Sequence, residues 1–130
     1  TDRRDALKLA TLARSGDLRS AADALTAIDR VGEDNVRLLF DIYHLAVNGD
    51  DVDAALDTAK GRIGHVQIAD APGRHQPGTG ELPIGGWIEK IFATGYDGWV
   101  AMEPFEYHPD GPTCAARSIG YVQGILETLT

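Results

Sequence analysis

The chain has 130 residues, of which 43% are hydrophobic and 25% charged, a composition typical of a globular domain and not of a disordered chain. No run approaches the ~20 apolar residues that span a bilayer, and a net charge of −8 argues against broad contact with nucleic acid or an anionic membrane. The single cysteine, Cys114, and a start without export-signal features favour a reducing cytoplasm.

The beginning of the chain differs from the rest. Residues 5–14 favour a helix, with leucines and alanines in a loose apolar pattern, and residues 1–19 as a whole form an atypical segment. We therefore expect a helical N-terminal segment over residues 1–19 and a separate domain over residues 20–130.

From residue 20 onwards, helices alternate with short apolar strands. Ser20 can cap a first helix that runs to Val31 and is stopped by Gly32. The later predicted elements are strand 36–43, helix 50–60, strand 63–69, helix 84–94, strand 98–103 and helix 113–129. Regular strand–helix alternation predicts an α/β fold with a parallel sheet and right-handed crossovers.

The predicted sheet leaves its edges open. Three strands cannot close a barrel, and an open three-stranded parallel sheet has two unpaired edges. The chain is therefore expected to be part of a larger barrel or to pair its edges with another copy. In both cases we expect self-association through these edges.

Each predicted strand carries a polar residue where its apolar run stops: Asp41, Gln67 and Glu103. In a parallel α/β barrel these strand ends face one mouth, where ligands bind. Three converging oxygen-bearing side chains suit a hard divalent cation such as Mg2+ or Mn2+. The alternative is that each residue only caps a strand or the helix that follows it.

Two histidines and one arginine lie near these strand ends. We expect His44 to contact a substrate, whereas His65 is expected to point inward from its strand in a structural role. Arg74 lies in a loop rich in glycine and proline, residues 70–83, which is expected to close over the mouth. Its guanidinium could bind a carboxylate or a sugar hydroxyl; the alternative is a solvated loop arginine.

Several stretches resemble the hydroxypyruvate isomerase family. They are residues 40–44, 64–70, 72–81 and 95–104, in order and with family-like spacing, and the most specific is the loop PGRHQPGTGE. The resemblance covers roughly residues 20–130. It implies the C-terminal half of a (β/α)8 TIM barrel of the xylose isomerase-like superfamily.

The resemblance also implies roles for the residues at the strand ends. The family holds a divalent metal with a glutamate on strand five, followed by an aspartate, a glutamine or histidine, and a glutamate. The last three carry over as Asp41, Gln67 and Glu103, and Glu103 also matches one of two acid/base glutamates. His44 and Arg74 match positions that contact substrate oxygens in related epimerases.

One family feature has no counterpart in the sequence. Residues 1–19 contain no glutamate, so the strand-five ligand is missing. Three metal ligands and one of the two acid/base groups remain, and we therefore do not expect full activity from this chain alone.

The resemblance implies interconversion of hydroxypyruvate and tartronate semialdehyde through an enediolate, with glutamates moving the proton. A ketose 3-epimerase of the same superfamily is the nearest alternative. Gln67, where epimerases usually have histidine, and the loop that begins at Arg74 favour a small hydroxy-keto acid over a sugar. The other alternative is a non-catalytic half-barrel that folds by self-association.

Overall fold

The structure, a computed structural model, describes residues 20–129, so the helix predicted within residues 1–19 lies outside the described part. The helices are α1 (Ala21–Val31), α2 (Ile42–Val47), α3 (Val52–Ala59), α4 (Ile84–Ala93) and α5 (Gly111–Thr128). The strands are β1 (Leu38–Asp41), β2 (Ile63–Ile68) and β3 (Val100–Met102). None of these helices combines the length and apolarity needed to cross a bilayer.

The three strands form one parallel sheet in the order β1-β2-β3. Asp41 is paired with Gln67, and Gln67 in turn with Ala101, so the carboxyl ends of the strands lie side by side. The predicted α/β fold with a parallel sheet is confirmed. Across residues 20–129 the outer edges of β1 and β3 have no strand partner, and the sheet is a partial barrel.

The two faces of the sheet differ in burial. Because side chains alternate along a strand, every second residue faces the helices. On β1 and β2 that face is buried and supplies the centre of the core, including Phe40, Val66 and Ile68, while the residues of β3 are partly buried. The opposite face is open: Trp99, the residue directly before β3, is 83% exposed. The other strand residues on the open face are paired across the sheet, Leu39 with His65, Asp41 with Gln67, and Gln67 with Ala101.

The first strand is shorter than predicted. The sequence predicts a strand over residues 36–43, but β1 ends at Asp41 and α2 begins at Ile42. The Asp41 carboxylate caps α2 by accepting a hydrogen bond from the His44 backbone N–H at 3.0 Å. The end of the predicted strand is therefore wrong, because this N-cap starts a helix inside an apolar run that has no break.

Side chains also cap the starts of α1, α3 and α5, whereas α4 begins after Pro83 without a side-chain cap. The Ser20 hydroxyl accepts from the Asp23 N–H, which confirms the predicted cap of α1, and Gly32 ends that helix with a positive φ of 69°. The Asp51 carboxylate accepts from the Ala54 N–H at 3.0 Å. These caps fix the first turns of α1 and α3.

Replacing Asp51 with alanine removes the acceptor at the start of α3. We expect the free energy of unfolding to fall by about 1 kcal/mol, the usual effect of losing an N-cap. The measurement is the midpoint of a denaturant titration, compared between variants that have the same m-value. The matched control is Asp57→Ala on the exposed side of the same helix, for which we expect a change within ~0.5 kcal/mol. Equal effects of the two changes would contradict the capping role.

Candidate active site

Asp41 lies at the rim of the sheet, which is the edge where the carboxyl ends of β1, β2 and β3 meet. It is the last residue of β1 and is largely buried, with Oδ1 accepting from the His44 N–H. The His44 Nε2 atom lies 3.8 Å from Asp41 Oδ2. The cap of α2 therefore fixes the carboxylate and at the same time places the His44 imidazole beside it.

Burial raises the pKa of the Asp41 carboxyl above its ordinary value. The His44 backbone N–H and the charges of His44 and Arg74 lower this pKa, whereas the charge of Glu103 raises it further. The burial effect on this pKa is the largest. His44, Arg74 and Glu103, the three charged side chains that change this pKa, all lie at the rim.

Glu103 joins the ends of β2 and β3. Its backbone N–H donates to the Ile68 carbonyl at 2.8 Å, which continues the ladder one residue past β3. The Gln67 Nε2 group donates to Glu103 Oε1 at 3.4 Å. Gln67 is also the register neighbour of Asp41. The structure thus brings the three predicted metal ligands together on adjacent strands, although their role as ligands stays a prediction.

Arg74 reaches the same carboxylate from the loop after β2. Its Nη2 group donates to Glu103 Oε2 at 2.5 Å, and its Nε group donates to the Glu103 carbonyl at 3.1 Å. The guanidinium carbon lies 3.8 Å from the Phe105 ring centroid and 4.9 Å from that of Tyr43. The Arg74 side chain is only 14% exposed. These contacts hold the guanidinium at the rim, and the interpretation as a solvated loop arginine does not fit them.

His65 lies on the open face, paired with Leu39 one step below the pair of Asp41 and Gln67. It is half-buried and shares the face of Gln67, as the alternation along β2 predicts. Its structural role stays a prediction.

The sequence analysis assigned no role to Asp70, which organises the loop that carries Arg74. Asp70 is fully buried, and its carboxylate accepts from the backbone N–H groups of Ala71, Gly78 and Leu82 at 2.8–3.1 Å. Its backbone also pairs with that of His75 as an isolated bridge. The only signal in the sequence was a carboxylate directly ahead of a loop rich in glycine.

Glycine is required where the loop passes over the Asp70 carboxylate. A Cβ atom on Gly80 would lie 2.4 Å from both the Ala71 carbonyl and Asp70 Oδ1. Gly78 has a φ of 84°, in the left-handed region that other residues rarely adopt. These glycines serve the close approach of the backbone to Asp70. The predicted closure of the loop over the mouth stays a prediction.

The side chains at the rim fit a hard divalent cation. Asp41, Gln67 and Glu103 all carry oxygen atoms, the ligands that Mg2+ and Mn2+ prefer. The Asp41 carboxylate is largely buried, and in this structure the Arg74 guanidinium pairs with Glu103. A divalent cation at the rim would add positive charge beside the Asp41 carboxylate.

Comparison with known families agrees with this architecture. The sequence pattern of the family described as xylose isomerase-like TIM barrel matches residues 9–124. The chain belongs to this family. The parallel sheet with its open face is therefore part of a TIM-barrel arrangement.

Curated relatives within the family are isomerases. A Streptomyces coelicolor protein provisionally named hydroxypyruvate isomerase is 43% identical over 106 residues, which are 78% of this chain and 37% of that protein. The hydroxypyruvate isomerase of Escherichia coli is 36% identical over 74% of this chain and 36% of its own length. A 2-oxo-tetronate isomerase of Cupriavidus necator is 38% identical over 80% of this chain and 38% of that protein. The chain spans less than half the length of each.

Solved structures of sugar epimerases share the fold. An L-ribulose 3-epimerase superposes with a TM-score of 0.76 at 26% identity, over 85% of this chain and 43% of that one. The apo form of the 3-keto-D-glucoside 4-epimerase of E. coli gives a TM-score of 0.73 at 29% identity, over 82% and 40%. These structures agree with a partial barrel of the xylose isomerase-like type.

Replacing Asp70 with asparagine puts an amide N–H2 group opposite backbone N–H donors. We expect the free energy of unfolding to fall by about 1–3 kcal/mol, the usual effect of leaving buried donors unsatisfied. Hydrogen exchange should show faster exchange of the Gly78 and Leu82 amides. The control is Asp97→Asn at an exposed position. Unchanged protection of these two amides would show that Asp70 does not hold the loop.

Proposed function

We propose that this chain contributes part of the active site of a metal-dependent isomerase that interconverts hydroxypyruvate and tartronate semialdehyde. The observation that carries the proposal is the convergence of Arg74 on Glu103, beside Gln67 and Asp41, at the carboxyl ends of parallel strands. The identity to relatives named hydroxypyruvate isomerase supports this choice of substrate.

Asp41, Gln67 and Glu103 would hold the Mg2+ or Mn2+ ion. When bound, this ion supplies positive charge that stabilises the negative charge developing on the substrate oxygens. The contribution of the chain is to fix the donors beforehand. Asp41 is fixed by the cap of α2, and Glu103 by its backbone bond to Ile68.

The reaction moves one carbon-bound proton from C3 to C2 of hydroxypyruvate and one hydroxyl proton between the neighbouring oxygens, so no atoms or electrons are gained or lost. Glu103 is the group proposed to take or return the carbon-bound proton. The second acid/base group, which the family resemblance assigns to strand five of the barrel, has no counterpart among residues 20–129.

Arg74 is proposed to bind the substrate carboxylate. Its contacts to Glu103 use two of the five N–H groups of the guanidinium. The rings of Phe105 and Tyr43 fix its plane. A guanidinium fixed in this way can bind a planar carboxylate through two parallel hydrogen bonds. His44, beside Asp41, is proposed to contact a substrate oxygen.

A ketose 3-epimerase is the second candidate. It is favoured by the L-ribulose 3-epimerase structure and by a D-psicose 3-epimerase of Ruminiclostridium cellulolyticum that is 30% identical over 68% of this chain. The rim would supply the same metal ligands and the same Glu103 for a longer sugar.

A non-catalytic, self-associating form is the third candidate, because the unpaired strand edges and the exposed Trp99 favour association. Light scattering together with turnover assays separates this form from the two enzymes, since a non-catalytic form predicts an oligomer without turnover.

A cytoplasmic location stays a prediction from the sequence.

Turnover tests the proposed substrate and the role of Glu103. The assay uses the longest natural form of the protein that contains residues 1–130, with Mn2+ or Mg2+, on hydroxypyruvate, D-psicose and L-ribulose. We expect turnover of hydroxypyruvate, with kcat lowered about 10²–10⁴-fold by Glu103→Gln, the usual contribution of a general acid or base. The control is Glu89→Gln, an exposed residue of α4.

Each result of this assay selects one candidate. Preference for the ketoses would identify an epimerase, and no turnover of any substrate would favour the non-catalytic form. Full activity of Glu103→Gln would contradict the acid/base role, whichever substrate is used.

The Arg74→Lys change tests recognition of the carboxylate. Lysine keeps the charge but loses the paired N–H groups and the stacking on Phe105. We expect KM for hydroxypyruvate to rise more than about tenfold while kcat changes less, since the binding contact is lost. Arg117→Lys, at an exposed position of α5, is the matched control. An unchanged KM would refute the proposed contact.

A further inference from the structure

A second group of possible metal ligands lies in the loops next to the rim. One ring nitrogen of His75, one ring nitrogen of His108 and a carboxylate oxygen of Glu106 all lie within 4.8 Å of one another. His75 belongs to the loop after β2, and the other two residues belong to the loop after β3. The proposed isomerase function assigns none of them a role.

The distances within this group suit a shared cation better than direct hydrogen bonds. The His75 Nε2 atom lies 3.5 Å from Glu106 Oε2, and His108 Nε2 lies 4.0 Å from the same oxygen. N–H···O hydrogen bonds are normally about 2.7–3.2 Å long. Two donors bound tetrahedrally at about 2.0–2.2 Å from a zinc ion lie roughly 3.3–3.6 Å apart. The distance from His75 to Glu106 falls in that range, whereas the nitrogen of His108, whose side chain is 71% exposed, lies beyond it.

The backbone holds two of the three residues next to each other. The Phe105 and Glu106 N–H groups both donate to the Arg74 carbonyl, at 2.8 and 3.1 Å. The neighbouring residue His75 is fixed by its backbone bridge to the buried Asp70. The Glu106 side chain is 56% exposed and that of His75 is 28% exposed, so a bound ion would keep access to water.

We propose that His75, Glu106 and His108 form a binding site for a borderline-soft divalent cation, with Zn2+ as the best fit. Two imidazoles and one carboxylate are a known ligand set for zinc with an open fourth position. The rim ligands Asp41, Gln67 and Glu103 offer only oxygen from their side-chain carboxylates and carbonyl and suit harder ions. The chain therefore carries two ligand sets of different hardness.

A cation in this site links the loop after β2, which carries Arg74, to the loop after β3. His75 follows Arg74 directly, and Glu106 is bonded to its carbonyl. Arg74 of the first loop stacks on Phe105 of the second. Zinc would thus fix the segment that carries the guanidinium, whether or not the protein turns over hydroxypyruvate.

Zinc binding to the intact protein tests the site directly. Calorimetric titration with ZnCl2 is carried out at pH 7.5 in excess Mg2+, which competes for the oxygen ligands of the rim. We expect Glu106→Gln and His108→Ala each to weaken Zn2+ binding more than about tenfold. Changes at residues that only contact a metal ligand already cause a loss of this size. Glu81→Gln, an exposed glutamate of the first loop, should bind Zn2+ like the parent. Circular dichroism checks that each variant is folded.

An Asp41→Asn variant locates the ion. Retained Zn2+ affinity in Asp41→Asn, together with the losses in Glu106→Gln and His108→Ala, supports the loop site. Affinity that is lost in Asp41→Asn but kept in His108→Ala would place the ion at the rim and overturn the proposal. Unchanged affinity in all variants would overturn it as well. None of these outcomes depends on isomerase activity.

Discussion

The site depends on parallel pairing of β1, β2 and β3 in one register. Because the strands run in the same direction, their carboxyl ends meet at one edge, and because side chains alternate, Asp41 and Gln67 emerge on the same face. Glu103 joins them by extending the ladder one residue past β3. A shift of one residue in any strand would turn its polar side chain into the core.

A second layer of the site comes from the loop after β2. The buried carboxylate of Asp70 collects backbone N–H groups of the loop, and this arrangement holds the backbone from which Arg74 reaches Glu103. The sheet thus positions the acidic groups, while the loop positions the Arg74 guanidinium, which pairs with Glu103. Both layers are built largely from backbone hydrogen bonds, which constrain the side chains before any ligand arrives.

The sequence predicted the parallel sheet and the polar strand ends because short apolar runs, helical periodicity and caps are local signals. It missed the start of α2, since Ile42 and Tyr43 continue an apolar run that hides the N-cap signal of Asp41. The role of Asp70 was also beyond local patterns, because its partners lie up to twelve residues away in an irregular loop. The approach of His75 to Glu106 joins two loops that the sequence does not relate.

The central claim is that Asp41, Gln67 and Glu103 share one divalent cation. The most direct measurement is a crystal structure of the protein grown with Mn2+, with anomalous diffraction data to locate the ion. The account predicts an anomalous peak within about 2.0–2.4 Å of oxygen atoms from all three side chains. Ordered side chains without a peak between them, at a Mn2+ concentration that saturates the protein, would contradict it.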